Sequence, residues 1–137
     1  MDFQRATQSV LWSLPAVSFA GFNNGLLQES DIDYNDLAIF QNYADTKTLL
    51  LTANTTTIYA TAIIDLARSG PVVLDIPAGS MAGMIDDAWW RALTMIGRGG
   101  PDNGNGGKFL LLPPGYDGDV PSDGYHVIKA TTNDLNF

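Results

Sequence analysis

The feature that most constrains the fold is a glycine-rich run between two apolar segments, within residues 84–118. Six of the eleven residues in 97–107 are glycine. Glycine adopts the positive φ angles that other residues avoid, which suits a series of tight turns. We therefore predict that the run is a structural connection between two β-strands. A loop that covers a ligand is the alternative.

The same run does not have the spacing of the known phosphate-binding motifs. A P-loop requires a glycine where Asp102 stands, and a hydroxyl residue where Phe109 follows Lys108. The dinucleotide-binding fingerprint requires its third glycine at Asp102 as well. The sequence therefore does not predict a nucleotide site.

A period-two pattern of β-branched residues predicts a strand over residues 58–66. Its even positions are expected to face the core: Ile58, Ala60, Ala62, Ile64 and Leu66. A Gly-Pro turn in 68–71 and a second strand over 72–76 suggest a hairpin. The apolar run 109–112 predicts a core strand, and 125–131 a final strand.

Two segments are ambiguous. Residues 84–96 fit either a helix or a single strand, and the flanking turns favour the strand. Residues 31–45 fit a helix, or a loop with a short strand.

The N-terminal segment predicts a helix that Asp2 caps. Its apolar residues approximate a helical stripe: Val10, Leu11, Leu14, Val17 and Phe22. Pro15 is expected to kink or split this helix, and residues 23–25 to end it. The chain is thus predicted to be α+β and mostly β, a β-sandwich after an N-terminal helical segment. Residues 1–48 form the helical and irregular extension, and 49–137 the sandwich, in one domain.

The charge of the chain excludes several partners. The 137 residues carry a net charge of −8, which repels nucleic acids and anionic membrane surfaces. The chain has no cysteine and a single histidine, His126, so a two-histidine zinc site cannot form within one chain. The longest apolar stretch, residues 10–22, is shorter than the ~20 residues that span a membrane. Only 16% of residues are charged, so the surface must be covered by Thr, Asn, Ser and Gly or hidden by a partner.

Asp86 and Asp87 are the strongest candidates for chemistry. On a strand they point to opposite faces, so they cannot act together as a catalytic pair. One of them must point inward, where Arg91, Arg98 or Tyr59 could donate hydrogen bonds. The result is either a structural hydrogen-bond network or a pocket with one functional carboxylate and a tryptophan wall.

Two other candidates are weaker. His126 has no serine in a nucleophile elbow to accompany it. The acidic run 31–36 resembles the start of a calcium loop, but Asp36 stands at the glycine position and Asn42 at the glutamate position. We expect a structural histidine and a solvated turn.

Five motifs occur in an order that resembles a known family. They are NTTTIY from Asn54, the strand after it, GPVVLDIP, MIDDAWWRALTMIG and GPDNGNGGKFLLLPPGYDGDVP. Together they resemble the family called domain of unknown function 1254 (DUF1254), over about residues 49–129. Thr56 stands where this family often has an acidic residue.

The resemblance implies a jelly-roll-like antiparallel β-sandwich with an N-terminal helical extension. It also implies a second β-rich domain, as in the DUF1254/DUF1214 tandem architecture. Some members are exported, although no signal peptide is visible in this chain. The family has no settled reaction, so the resemblance implies no mechanism and no cofactor.

Two hypotheses of function follow. The first is a non-catalytic structural or interaction module, whose partner is a second copy or a second β-rich domain. The second is a small-molecule (sugar or carboxylate) binding protein or hydrolase-type enzyme. Its pocket would use Asn54, Thr57, Tyr59, Asp87, Trp89 and Arg91, and would contain no metal. We expect a soluble protein with no nucleic-acid or membrane partner.

Overall fold

The computed structural model describes residues 1–29, 31–48 and 53–137. The predicted boundary between residues 48 and 49 lies outside these described residues and stays a prediction. The elements follow the order α1 (Asp2–Glu29), β1 (Leu37–Ile39), β2 (Ala60–Asp65), α2 (Leu66–Ser69), β3 (Val72–Ile76), β4 (Ala82–Asp87), β5 (Ala92–Gly97), β6 (Gly107–Leu112), β7 (His126–Lys129) and β8 (Asp134–Asn136).

The strands form two sheets. The larger has the order β1-β2-β8-β4-β5, and every neighbouring pair in it is antiparallel. The smaller has the order β3-β6-β7, in which β3 and β6 are antiparallel but β6 and β7 are parallel. The predicted class, α+β and mostly β, is confirmed. The jelly-roll topology stays a prediction.

The hydrophobic core lies between the two sheets. It joins residues of both: Ala62, Ile64, Ile85, Ile96 and Leu135 from the larger sheet, and Ile76, Phe109 and Leu111 from the smaller. The prediction that Ala62, Ile64 and Leu66 face the core is confirmed, whereas Ile58 and Ala60 are exposed. Residues 109–112 are buried, as predicted for a core strand.

Helix α1 packs on the other face of the larger sheet. The side-chain amide of Asn136 in β8 donates a hydrogen bond of 3.0 Å to Oδ1 of Asn23. Both asparagines are buried, so each satisfies the polar group of the other. Ile63, which is opposite Asn136 in the sheet and is not part of the core between the sheets, is also fully buried.

The predictions that Pro15 splits this helix and that residues 23–25 end it are wrong, whereas a kink at Pro15 stays a prediction. The helix continues through Pro15 and past residues 23–25 as a single element. Side chains before and after Pro15 contact the same turn, Trp12 through Trp89 and Phe19 through Trp90. Asn23, expected to end the helix, instead forms the buried contact with β8.

Two predictions about the strands are also wrong. Strands β2 and β3 do not form a hairpin, because β2 pairs with β1 and β8, and β3 pairs with β6. The one-turn helix α2 separates β2 from β3: the Asp65 carboxylate accepts a hydrogen bond from the N–H of Arg68 and caps it. Residues 125–131 contain β7 but are not the final strand, since β8 follows.

Residues 84–96 are not one strand but parts of β4 and β5, joined by a tight turn. The predicted single face of alternating side chains is therefore wrong. In the other ambiguous segment, residues 31–45, the structure contains the short strand β1 and no helix.

The glycine-rich run connects β5 of the larger sheet to β6 of the smaller one, which confirms the predicted connection. The buried Asp102 organises it, because its carboxylate accepts hydrogen bonds from the N–H groups of Gly97 and Gly104. Gly106 has φ 73°, and a Cβ there would lie 2.5 Å from the carbonyl oxygen of Ile76. The run thus brings its backbone close to the β3–β4 connection.

Candidate functional site

The turn between β4 and β5 brings together three of the predicted site residues, Asp87, Trp89 and Arg91. The N–H of Asp87 donates to the carbonyl of Arg91 at 3.0 Å, and the N–H of Trp90 donates to the carbonyl of Asp87 at 2.9 Å. Trp90 has φ 55°, a left-handed conformation that is uncommon for a large residue. Such a conformation persists only where surrounding contacts hold it.

The Asp87 carboxylate holds this turn closed. Its Oδ1 accepts hydrogen bonds from the backbone N–H groups of Trp89 (2.9 Å) and Arg91 (3.1 Å). Its Oδ2 accepts from Nε of Arg91 (2.8 Å) and the hydroxyl of Thr131 (2.6 Å), and forms an ion pair with Nη2 of Arg91 (2.6 Å). Two oxygens with about four lone-pair sites thus receive five donors, which leaves no free acceptor for a substrate.

The same contacts keep Asp87 ionised. Burial raises the pKa of this carboxyl, but the hydrogen bonds from Arg91, Thr131 and the two backbone N–H groups outweigh burial and lower it to about 2. A general acid or base needs a pKa near the working pH. Asp87 is thus the centre of a buried hydrogen-bond network, and its functional role stays a prediction.

The pKa of Asp86 is shifted in the opposite direction from that of Asp87. Burial, and to a lesser extent the charge of Asp87, raise its pKa. In the sheet Asp86 is opposite Asn136, on the face that α1 covers. The two adjacent carboxyls thus have different environments, as their opposite directions on a strand predict.

The turn presents two tryptophans to helix α1. The ring of Trp89 lies 4.5 Å from that of Trp12, and the ring of Trp90 lies 5.3 Å from Phe19 and 5.7 Å from Phe22. The last two pairs are edge-to-face, a favourable geometry for aromatic rings. Trp89 is therefore packed against a helix of the same chain.

The other three predicted site residues, Asn54, Thr57 and Tyr59, form a second group. The backbone N–H of Asn54 donates to the hydroxyl of Tyr59 at 3.1 Å, and its side-chain amide donates to Thr57 at 2.9 Å. Oδ1 of Asn54 accepts from the N–H and hydroxyl of Thr56. These residues are exposed and close a polar turn before β2.

The structure does not bring the two groups together. The strand register places Asp87 opposite Leu135, and Leu135 opposite Ile64. Tyr59 precedes Ile64 by five residues, about 16 Å along an extended strand. The binding roles of both groups stay predictions. This register, however, does not place the two groups around one shared pocket.

Tyr59 does line a cavity of about 260 Å³. Its ring packs edge-on against Phe40, with centroids 6.5 Å apart. The wall is completed by Gln41, Asn42, Tyr43, Ala44, Asp45 and Thr48. A second depression, of about 600 Å³, is lined only by the first turns of α1 and is not enclosed by another element.

Several residues that build the site were not predicted. Thr131 donates to Asp87 from 44 positions away, and Thr132 accepts a hydrogen bond from the N–H of Ala88. Both lie in a polar stretch between β7 and β8 that carries no recognisable motif. Of the three donors predicted for a buried carboxylate, Arg91 is confirmed for Asp87, and no hydrogen bond from Arg98 or Tyr59 to it is found.

Within the described parts of the chain, no three histidine, aspartate or glutamate side chains are grouped to hold a metal ion. The acidic run that resembled a calcium loop forms a turn instead. Oδ1 of Asp33 accepts from the N–H of Tyr34, and Oδ2 of Asp36 accepts from the N–H of Asp33. The ring of the half-buried His126 packs against that of Phe109, with centroids 4.8 Å apart and the planes tilted by 40°. Among described residues, no helix is long and apolar enough to cross a membrane.

Comparison with known proteins agrees with the predicted resemblance. The sequence matches the family described as "Protein of unknown function (DUF1254)" over residues 34–137, a wider range than the motifs covered. The fold is similar to the crystal structure of the VPA0106 protein from Vibrio parahaemolyticus, with a TM-score of 0.65 and 17% sequence identity. That likeness, which concerns the fold alone, covers 91% of this chain and 29% of the other. No curated protein matches the sequence.

Proposed function

The chain belongs to the DUF1254 family, proteins of unknown function, and from this premise we propose that it is a non-catalytic interaction module that binds through helix α1. The observation that carries the proposal is the unpartnered surface of this helix. We call it the outer face of α1 and define it by residues spaced alternately four and three apart: Phe3, Thr7, Val10, Leu14, Val17 and Gly21.

The outer face points away from the body of the protein. The buried Phe19 and Asn23 contact the turn and the sheet, and Trp12, which is 70% exposed, meets the turn only through its ring contact with Trp89. Each is two residues after a member of the outer face, and two residues correspond to about 200° around a helix. The outer face is therefore opposite the packed side.

Its apolar side chains are open to solvent: Phe3 is 85% exposed, Val17 64%, Val10 60% and Leu14 51%. Single exposed apolar residues are common, but a contiguous row of them marks an interaction surface. Of the predicted stripe, Val10, Leu11, Leu14 and Val17 are exposed to solvent, whereas Phe22 packs on Trp90.

The chemistry of the β4–β5 turn supports the same proposal. Asp87 was the strongest candidate for a catalytic carboxylate, and its acceptor sites are occupied by donors of the same chain. A module that binds through apolar contacts needs no such group.

The outer face can be tested with an apolar fluorescent dye such as ANS. At low protein concentration the unaltered chain should bind the dye, and Leu14→Glu should weaken that binding severalfold. Ser9→Glu is the matched control, because Ser9 is on the same exposed stretch of helix but outside the outer face. Equal dye binding by all three proteins would refute the proposed surface.

A second candidate is small-molecule binding at the cavity of Tyr59. Phe40, Tyr43 and Tyr59 offer ring faces of the kind that sugars stack on, and Asp45 offers a carboxylate. A carboxylate ligand would be repelled by Asp45 and by the net charge of −8. The volume of about 260 Å³ is also below that of ordinary ligand pockets.

This candidate has its own test. Monosaccharide mixtures would be titrated into the protein while the NMR signals of Tyr43 and Tyr59 are followed. Shifts that saturate and disappear in Phe40→Ala would support a sugar site, and unchanged signals would reject it. Export and a following second β-rich domain, both implied by the family resemblance, stay predictions, as does the jelly-roll topology.

A further inference from the structure

We propose that the partner of the outer face of α1 is the same face of a second copy, and that the two helices pair antiparallel. This inference rests on the proposed function, which it extends by naming the partner. It is carried by the spacing, the self-complementarity and the charge of the outer face.

The spacing indicates that the partner is a helix. Alternate steps of four and three residues from Phe3 to Gly21 correspond to the a and d positions of a coiled coil. The row covers about two and a half heptads, a length of about 27 Å. A flat sheet or an extended peptide would not match this narrow seam.

The order of large and small residues indicates an antiparallel second copy. When residue i of one helix faces residue 24 − i of the other, Val10 faces Leu14, Thr7 faces Val17, and Phe3 faces Gly21. All six members of the outer face then meet another member. The same patch serves on both copies, as an interface with two-fold symmetry requires.

Gly21 supplies the space that this register needs. A Cβ at Gly21 would have no atom within 4 Å, so the surface above it is open. The largest member of the outer face, Phe3, would place its ring there. A parallel arrangement would instead put Phe3 beside Phe3 and Gly21 beside Gly21, leaving one crowded and one empty layer.

The pairing buries no charge, although each copy has a net charge of −8. The charged residues of α1 are Asp2, Arg5 and Glu29, and none belongs to the outer face, so the seam buries no charge. The antiparallel helices also oppose their dipoles.

The area is that of a weak, specific dimer. Four exposed large apolar side chains give on the order of 500 Å² per copy, or about 1,000 Å² in total, which is near the lower limit for specific interfaces. We therefore expect a dimer with a dissociation constant in the micromolar range, roughly −7 to −8 kcal/mol.

Sedimentation of the full chain over a range of concentrations tests the association. The unaltered chain should change from monomer to dimer. Leu14→Glu should raise the dissociation constant at least about tenfold, and Ser9→Glu should leave it unchanged. Circular dichroism would show that both variants keep the monomer fold, since both positions are exposed.

Single cysteines test the register, because the chain has none of its own. A mixture of Thr7→Cys and Val17→Cys should form a disulfide-linked dimer under mild oxidation. Thr7→Cys alone should not. Efficient linkage of Thr7→Cys to itself would indicate parallel helices and would overturn the inference.

A size exchange tests the layer of Phe3 and Gly21. Phe3→Ala and Gly21→Leu should each weaken the dimer severalfold, and the double variant should recover much of the loss. Gly21→Leu should not unfold the monomer, since leucine favours a helix more than glycine does. If the affinity losses of the two single variants simply add in the double variant, the pairing of these residues is contradicted.

Failure of this inference is distinguishable from failure of the proposed function. A chain that stays monomeric at every concentration, but binds ANS in a manner that depends on Leu14, overturns the second copy and retains the docking surface. Such a result would assign the outer face to a different partner. A monomer whose dye binding does not depend on Leu14 overturns both.

Discussion

The hydroxyl of Thr131 donates a hydrogen bond of 2.6 Å to the carboxylate of Asp87, joining residues 44 positions apart. It ties the segment between β7 and β8 to the turn between β4 and β5. That turn carries the tryptophans on which α1 packs. One short hydrogen bond therefore connects three parts of the fold.

Thr131→Val should destabilise the protein by about 2 kcal/mol, because a hydrogen bond to a charged group is lost while the shape of the side chain is kept. Urea denaturation at neutral pH would measure the free energy of unfolding. Thr55→Val, at an exposed threonine, is the control and should change it by less than about 0.5 kcal/mol. Equal effects at the two positions would show that the contact contributes nothing.

The stability contributed by Asp87 should depend on pH. Its pKa is lowered to about 2 in the folded state, from 3.8. The ionised carboxylate therefore stabilises the fold fully above pH 3.8, and this stability is lost as the pH falls through about 2. The shift corresponds to about 2 kcal/mol.

The measurement compares the unaltered protein with Asp87→Asn in urea from neutral to strongly acid pH. Removing one partner of this buried network should cost about 3 kcal/mol at neutral pH. The difference between the two proteins should shrink by about 2 kcal/mol in acid. A difference that is constant over the whole range would contradict the lowered pKa.

Asp86→Asn should change the stability in the opposite direction from Asp87→Asn. The pKa of Asp86 is raised by burial and by the charge of Asp87. Its ionised form is thus disfavoured in the fold, and stability is lost as the pH rises from 3.8 through the raised pKa. Replacing the carboxyl by an amide should therefore raise the melting temperature at neutral pH and have little effect in strong acid. A lower melting temperature at neutral pH would show that the charge of Asp86 is needed.

Gly106→Ala should be far more destabilising than Gly115→Ala. Both glycines have φ 73°, so both substitutions carry the strain of a left-handed residue, about 1–2 kcal/mol. Only at Gly106 would the new Cβ also meet backbone atoms, at 2.5 to 2.7 Å, whereas nothing lies within 4 Å at Gly115. Melting temperatures of the two variants measure the difference, and similar values would refute the close approach of the glycine-rich run.

The parts of the fold that follow from local pattern were predictable. The apolar run 109–112 is a buried strand, and the glycine spacing excluded a P-loop and indicated a connection. The turn after Asp87 was not visible, because Trp89 and Trp90 continue the apolar pattern and no glycine or asparagine marks the left-handed position. Hydrogen bonds that the Asp87 carboxylate accepts in the folded protein replace that local signal.

Strand β8 was missed for a related reason. Its sequence is polar, and its buried Asn136 is satisfied by Asn23, which is 113 residues away. Such a pair is formed by tertiary structure and leaves no periodic pattern. In the same way, the stripe of α1 indicated an apolar face correctly, but it did not indicate which side of the helix the sheet would cover.

The chain has three tryptophans, and all of them lie where α1 meets the β4–β5 turn. Intrinsic fluorescence therefore reports on this junction more than on the core between the sheets. A change in emission without loss of the circular dichroism signal of the strands would reveal release of the helix alone. Without any added label, the protein carries an optical probe for the element through which we propose that it binds.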